Sequence, residues 1–166
     1  MNELILRAKN GDKTSFTELM LQIKDELYKV AKIRLKNDDD VFDAIQETML
    51  VTYKSLKKLK YAQYFKTWVI KILINECNKI YKIKNSKNLC SYDMLDNIAT
   101  DTSDNMEEKL NFEFICNKLN KEDGTIILLY YMENYTDKEI GRILNIKEST
   151  VRTKRTRAKE KIKKYL

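Results

Sequence analysis

Residues 136–159 read Thr-Asp-Lys-Glu-Ile-Gly-Arg-Ile-Leu-Asn-Ile-Lys-Glu-Ser-Thr-Val-Arg-Thr-Lys-Arg-Thr-Arg-Ala-Lys, and this stretch decides the fold. Thr136 offers a hydroxyl to an orphan amide, and Glu139, three residues on, reaches back: a capping box that opens a helix. Ile140, Ile143 and Leu144 are its inward residues. Asn145 stands where a tight turn needs a left-handed residue, which Asn tolerates, and Ile146 plugs the turn. A second helix starts near residues 148–151, with Val151, Ala158 and Ile162 as its buried edge. Arg152, Thr153, Lys154, Thr156, Arg157 and Lys159 project elsewhere. A short helix, a three-residue turn and a basic second helix match a helix-turn-helix. An α-helix fits the DNA major groove, Arg pairs bidentately with guanine, and Lys and Arg neutralise phosphates. The bland alternative is a helical hairpin with a basic tail.

The rest of the 166-residue chain is also written for helices. It has no proline and only three glycines, which argues against an all-β fold built on Gly/Pro turns. It has no histidine, so Ser-His-Asp and Cys-His catalysis are excluded and the commonest metal ligand is missing. No glycine-rich phosphate loop is present. The expectation is therefore no enzyme, no catalytic residue, no metal, no cofactor and no small-molecule substrate. Cys77, Cys90 and Cys116 form no Cys-x-x-Cys pair. An odd count fits a reducing cytosol, with Cys77 and Cys116 as buried small hydrophobes. The N-terminus lacks the apolar centre of a signal peptide, and no apolar run reaches the ~20 residues that span a bilayer. A cytoplasmic location is expected.

Three amphipathic helices precede the helix-turn-helix. Residues 15–36 place Phe16, Leu19, Met20, Ile23, Leu27, Val30 and Ala31 on one stripe at helical period. Asn37 and the Asp38-Asp39-Asp40 run suit the start of the next helix, near 41–59. A loop at 60–64 follows, then a helix near 65–83 with Phe65, Trp68, Val69, Ile72, Leu73 and Ile80 inward. Residues 4–10 suit a short preceding helix. Residues 85–106 are rich in Ser, Thr, Asn and Asp and lack sustained periodicity, as a linker does. Helices near 107–119 and 121–133 lead into the helix-turn-helix. The reading is all-α: an N-terminal domain at 1–84, a flexible acidic linker at 85–106, and a C-terminal domain at 107–166.

The formal net charge of +7 hides an alternation. Residues 54–87 carry ten basic side chains against one acid, Glu76, and residues 147–166 carry nine against two. The intervening 88–146 is acidic, with twelve acids against five bases. Two basic blocks separated by an acidic one suit a polyanion contacted at two places. Solvated lysine-rich faces are the alternative for either block alone.

Three motifs in order now resemble a known family. The stretch from Tyr135 to Lys159 is similar to the promoter-reading end of extracytoplasmic-function (ECF) sigma factors, a subfamily of the sigma-70 family. Those proteins share Glu-Ile-Ala, a Leu-Gly turn, then Thr-Val-Lys-Ser-Arg and an Arg-Ala pair. Asp43-Ala44-Ile45-Gln46-Glu47-Thr48-Met49 resembles the family's core-binding helix. Phe65-Lys66-Thr67-Trp68-Val69-Ile70-Lys71-Ile72-Leu73-Ile74-Asn75 resembles its Phe-x-x-Trp-Leu…Ile-Ala-x-Asn stretch.

The resemblance implies an alternative sigma factor that binds core RNA polymerase and promoter DNA, directs promoter-specific initiation and answers stress or envelope signals. Asp43, Gln46 and Glu47 would face the polymerase clamp; an acid-amide face suits a basic partner. Tyr61, Tyr64, Lys66, Lys71, Asn75, Lys79 and Lys82 would hold the non-template strand of the minus-ten element, since a splayed base needs a polar or aromatic pocket and the strand needs cations. Either tyrosine could equally be ordinary packing, and Trp68 reads as core. Lys147, Ser149, Arg152, Thr153, Thr156 and Arg157 would reach the minus-thirty-five element. The linker would thread a polymerase channel. An anti-sigma factor, in many members anchored in a membrane, is implied as a further partner.

Five positions depart from the family pattern. Lys79 and Lys82 replace Asp and Arg, which puts a salt bridge there in doubt. Lys147 occupies the usual Ser cap, at a loss of roughly 1 kcal/mol. Arg155 stands where an apolar residue is common and should snorkel or contact DNA. Met49 replaces Phe. The rival readings are a stand-alone helix-turn-helix regulator that binds duplex DNA and a helical adaptor protein without DNA readout. Neither explains both the 43–47 face and the two basic blocks.

Overall fold

The structure, a computed structural model, describes residues 1–87 and 118–164 together with Phe112 and Ile115, and all regular structure among them is helical. Of the linker expected at 85–106, residues 88–106 lie outside the described residues, as do most of the helix expected near 107–119, Cys90 and Cys116. The first helix, α1, is Asn2–Lys9. The second, α2, is Lys13–Arg34, and its start is set by Asp12, whose carboxylate accepts from the amides of Thr14 and Ser15. The third, α3, is Asp38–Ser55; Asn37 caps it through the Asp40 amide, and the three aspartates fill its first turn as expected. It gives way to short 3-10 turns at Leu56–Lys58 and Ala62–Tyr64. The long α4 spans Phe65–Lys87, so helix continues past the expected boundary at residue 84.

The C-terminal half begins with α5, Lys121–Ile127, capped by Asn120. It runs into a π-helical stretch, Leu128–Met132. There the Glu133 amide donates to the Leu128 carbonyl at 3.1 Å and the Tyr135 amide to the Leu129 carbonyl at 2.8 Å, with Asn134 at φ 58° between them. The hairpin follows: α6 is Asp137–Leu144 and α7 is Glu148–Lys163. The capping box is formed in both directions between Thr136 and Glu139. Asn145 adopts φ 58°, ψ 43°, the left-handed turn expected of it.

The two halves share one continuous core. Leu19, Ile23, Leu27, Val30, Val41, Phe65, Val69 and Leu73 fill the N-terminal bundle; Ile126, Leu128, Leu129, Ile140, Ile143, Val151 and Ala158 fill the C-terminal one. The helix α4 packs on α3 and α2 along one side and on α6 along the other, and α5 packs on α2 and α7. This double contact explains a departure from the expected inner stripe of α4. Ile70 and Ile74, absent from that stripe, are buried, while Trp68, Ile72 and Ile80 are half-buried. Gly124 lies at the crossing of α5 over α2, where a Cβ would stand 3.1 Å from Ile33 Cγ2. Cys77 is buried as expected, and burial pushes its thiol up to about 12, so it stays protonated and inert.

Asn145→Val is expected to destabilise the protein by about 1–3 kcal/mol, because a β-branched residue cannot hold the left-handed turn without strain. Asn145→Gly should leave stability nearly unchanged in the same urea unfolding experiment.

Candidate nucleic-acid interface

The helix α7 separates two jobs by its period. Val151 and Ala158 are buried and Ile162 half-buried on one side, whereas Ser149, Arg152, Thr153, Thr156 and Arg157 recur three and four apart on the other and are all exposed. Lys147 is exposed at the cap position and makes no side-chain capping bond, as its departure from Ser implied. Thr153 and Thr156 donate their hydroxyls to the carbonyls of Ser149 and Arg152, each at 3.0 Å, which presents their methyl groups outward. Arg152 is held by Glu148 at 3.1 Å and by Asp137 at 3.6 Å. Arg157 has no ion pair among the described residues.

Arg155 neither snorkels freely nor joins this outward stripe. Its Nε and Nη2 donate to the two carboxylate oxygens of Asp137 at 2.9 and 3.0 Å, and its guanidinium lies 3.8 Å from the centre of the Tyr130 ring. Hydrogen bonding to Asp137 holds it more firmly protonated than a free arginine. An apolar position has thus become a bidentate clamp between α7 and the first turn of α6.

On α3, Asp43, Gln46 and Glu47 are all exposed on one stripe, as expected. Leu50 continues that stripe 46% exposed, and Phe42 and Tyr53 flank it at 60% and 43%. The sequence reading missed these three. Their signal is an apolar residue off the inner stripe of an amphipathic helix, repeated along one surface. Phe42 rests against Tyr28 and Tyr53 against Phe16.

The residues assigned to the minus-ten element divide into two groups. Tyr61, Lys79 and Lys82 are exposed. Lys79 pairs with Glu76 at 2.8 Å, and with Asn75 and Lys82 it lines an open groove of about 390 Å³ between α3 and α4. Tyr64, Lys71 and Asn75 border the C-terminal half, and Lys66 turns back to α2. Arg142 of α6 sits 5.1 Å from the centre of the Tyr64 ring, and its hydrogen bond, with that of Gln63, pulls the Tyr64 phenol below its usual range. Lys66 reaches Glu26 at 3.5 Å. Lys71 and Asn75 border a cleft whose far wall is the α6–α7 turn. The structure thus brings this set onto α4 and its preceding loop, but not onto one open face.

The junction between the halves is polar as well as apolar. Tyr135 donates its hydroxyl to the buried Glu26 carboxylate. Lys29 pairs with Glu133 at 3.2 Å, and Arg34 donates to Thr125 Oγ1 at 3.3 Å and to Asn78 Oδ1 at 2.9 Å. Lys121 lies 3.3 Å from the centre of the Tyr81 ring. Burial raises the Glu26 carboxyl above its ordinary 4.5, against the lowering effect of Tyr135 and Lys66. Burial, with the hydrogen bond to Glu26 behind it, also pushes the Tyr135 phenol far up.

An exposed basic recognition helix in one half and a cation-lined helix with paired tyrosines in the other define a protein equipped to read nucleic acid at two places. The comparisons with known proteins agree. A family model described as sigma-70 region 2 matches residues 19–84, and one described as sigma-70, region 4 matches residues 111–162. Among curated proteins, the chain is 27% identical over 182 residues to the ECF RNA polymerase sigma factor SigW of Bacillus subtilis, covering 98% of this chain and 94% of that one. It is 21% identical over 165 residues to the ECF RNA polymerase sigma factor SigM of Mycobacterium tuberculosis, covering 99% and 83%. Among solved structures, the sigma factor RpoE of Bartonella quintana, crystallised with the anti-sigma factor NepR, superposes with a TM-score of 0.79 at 16% identity, covering 90% of this chain and 94% of that one. The chain belongs to the ECF subfamily of sigma-70 family sigma factors. It is an alternative sigma factor that directs transcription initiation by RNA polymerase.

Two outcomes test this geometry. Arg155→Ala is expected to lower stability by about 1.5–3 kcal/mol, the range for charged hydrogen bonds, whereas Arg157→Ala should leave the unfolding midpoint unchanged and weaken duplex binding in a gel-shift assay. A pH series tests Glu26. Because its carboxyl is raised in the fold, the folded chain binds more protons than the unfolded one between the ordinary 4.5 and the raised value. Stability from this group is therefore full below that window and is lost as pH rises through it. Glu26→Gln is expected to flatten the slope in urea unfolding from pH about 4 to about 7.

Proposed function

We propose that the α3 stripe of Asp43, Gln46 and Glu47, bordered by Phe42, Leu50 and Tyr53, docks on the clamp of core RNA polymerase. Apolar side chains beside a charged stripe suit an interface with a desolvated centre and a polar rim. Tyr61, Tyr64, Lys66, Lys71, Asn75, Lys79 and Lys82 hold the non-template strand at the minus-ten element. Lys147, Ser149, Arg152, Thr153, Thr156 and Arg157 read the minus-thirty-five element. Melting is driven by capture of splayed bases, and no catalytic role is proposed.

The observation that carries this reading is the outward stripe of α7, opposite its buried edge, set against an α4 face half covered by the same domain. Reading two promoter elements at once therefore requires the two halves, 1–84 and 107–166, to part about the linker at 85–106. The packing of the C-terminal half at Tyr64 and Lys71 is the storage form. The RpoE relative was solved with an anti-sigma factor; a partner of that kind, working on this closed form in the cytoplasm, is proposed for this chain. No helix among the described residues is long and apolar enough to cross a membrane.

Run-off transcription with purified core polymerase on a promoter library tests the whole. Promoter-specific transcripts are expected, and their absence across the library would sink the residue assignments. Gln46→Ala combined with Glu47→Ala should abolish holoenzyme formation, measured by gel filtration, while the chain keeps its affinity for minus-thirty-five duplex. Duplex binding by a palindromic site without polymerase would favour the stand-alone regulator instead.

A further inference from the structure

Between the two halves lies a cleft of about 430 Å³. Its walls come from four elements: the end of α2 with Arg34, the middle of α4 with Lys71, Asn75 and Asn78, the start of α5 with Lys121, and the α6–α7 turn with Asn145. Three cations thus face one space. The only carboxylate in the wall, Glu122, lies 3.5 Å from Lys154.

The cations are held by neutral groups. Arg34 spends its two terminal nitrogens on the amide oxygen of Asn78 and the hydroxyl of Thr125, and its buried Nε has no partner. Lys121 rests on the face of the Tyr81 ring. Burial lowers the proton affinity of both, and Lys121 is lowered further by Arg34 and Lys36. Three cations, two of them partly dehydrated, set against the single carboxylate of Glu122, itself shared with Lys154, are costly to pack. A bound anion would remove that cost, and three asparagine side chains stand ready to donate to its oxygens.

We propose that this cleft binds a small phosphorylated anion carrying two or more phosphates, of the size of a nucleoside diphosphate, and that the bound anion holds the two halves closed. The volume falls within the ~300–1,000 Å³ of small-molecule sites. The ligand is not a promoter phosphate. Lys121 and Asn145 join Arg34 and Lys71 only when both halves are packed, whereas a strand lying along an opened α4 meets Lys71 and Asn75 without them. The inference rests on the closed packing and shares Lys71 and Asn75 with the proposed minus-ten surface.

The test uses the full chain at moderate salt, with inorganic pyrophosphate, GDP, guanosine and a short single-stranded oligonucleotide as probes in titration calorimetry and thermal unfolding. Pyrophosphate and GDP are expected to bind one per chain and to raise the unfolding midpoint, and guanosine to do neither. GDP tighter than pyrophosphate identifies a nucleotide site; equal affinities identify a site for inorganic polyphosphate, and both orderings sustain the inference. Lys121→Gln should weaken binding at least tenfold, and Arg34→Gln likewise where it folds. Lys163→Gln, on the exposed end of α7 and outside the cleft wall, should change nothing. Three results would overturn the proposal: no saturable pyrophosphate or GDP binding, equal losses in the Lys121 and Lys163 variants, or binding by the oligonucleotide alone.

Discussion

One buried carboxylate joins the two halves of this molecule. Glu26 sits on α2 among apolar neighbours, takes a proton-donating contact from Tyr135 and lies within reach of Lys66. A buried acid is tolerable only while its lone pairs are occupied. Each partner comes from a different element: Tyr135 from the segment before the helix-turn-helix, and Lys66 from the first turn of α4. The cost of leaving Glu26 unmet is what makes the relative placement of these elements specific, where apolar packing alone would permit sliding. Arg34, Lys29 and Lys121 extend the same logic along the junction, each reaching a polar or aromatic group on the opposite half.

The junction has a second consequence. Side chains proposed to meet promoter DNA are here engaged in intramolecular contacts. Arg142 lies over the Tyr64 ring, and Glu26 lies 3.5 Å from Lys66. The Arg142–Tyr64 contact lies near the surface and such contacts are individually weak, whereas Lys66 is tied to a buried acid.

Much of this was legible in the sequence, for identifiable reasons. The helix-turn-helix was, because its capping box and its Asn145 turn are local chemistry that acts within a few residues. The outward stripe on α7 followed from helical period, and the Asp43, Gln46 and Glu47 face of α3 from the family resemblance. What escaped was whatever depends on a second neighbour. Periodicity reports one buried face per helix, so Ile70 and Ile74 were missed because α4 is covered on two sides. Asp12 as the cap of α2 was missed because a Lys-Thr-Ser stretch intervenes before the apolar stripe. Arg155 read as misplaced because its partner, Asp137, is eighteen residues away in the chain and adjacent only across the hairpin. Phe42, Leu50 and Tyr53 were passed over because an inward search discards apolar residues on the outward side.

The π-helical stretch Leu128–Met132 has a further meaning. A π turn winds an extra residue into the helix, and each α-helical residue advances the chain by about 100°. The bearing of Tyr135 toward Glu26 therefore depends on the number of residues wound between the start of α5 and Tyr135. A shortening by one residue there would keep all the side chains of the junction and still aim them past their partners. Alignment of the two halves is, in this sense, a property of chain length: a dial setting, which no single point substitution outside the turn can reset.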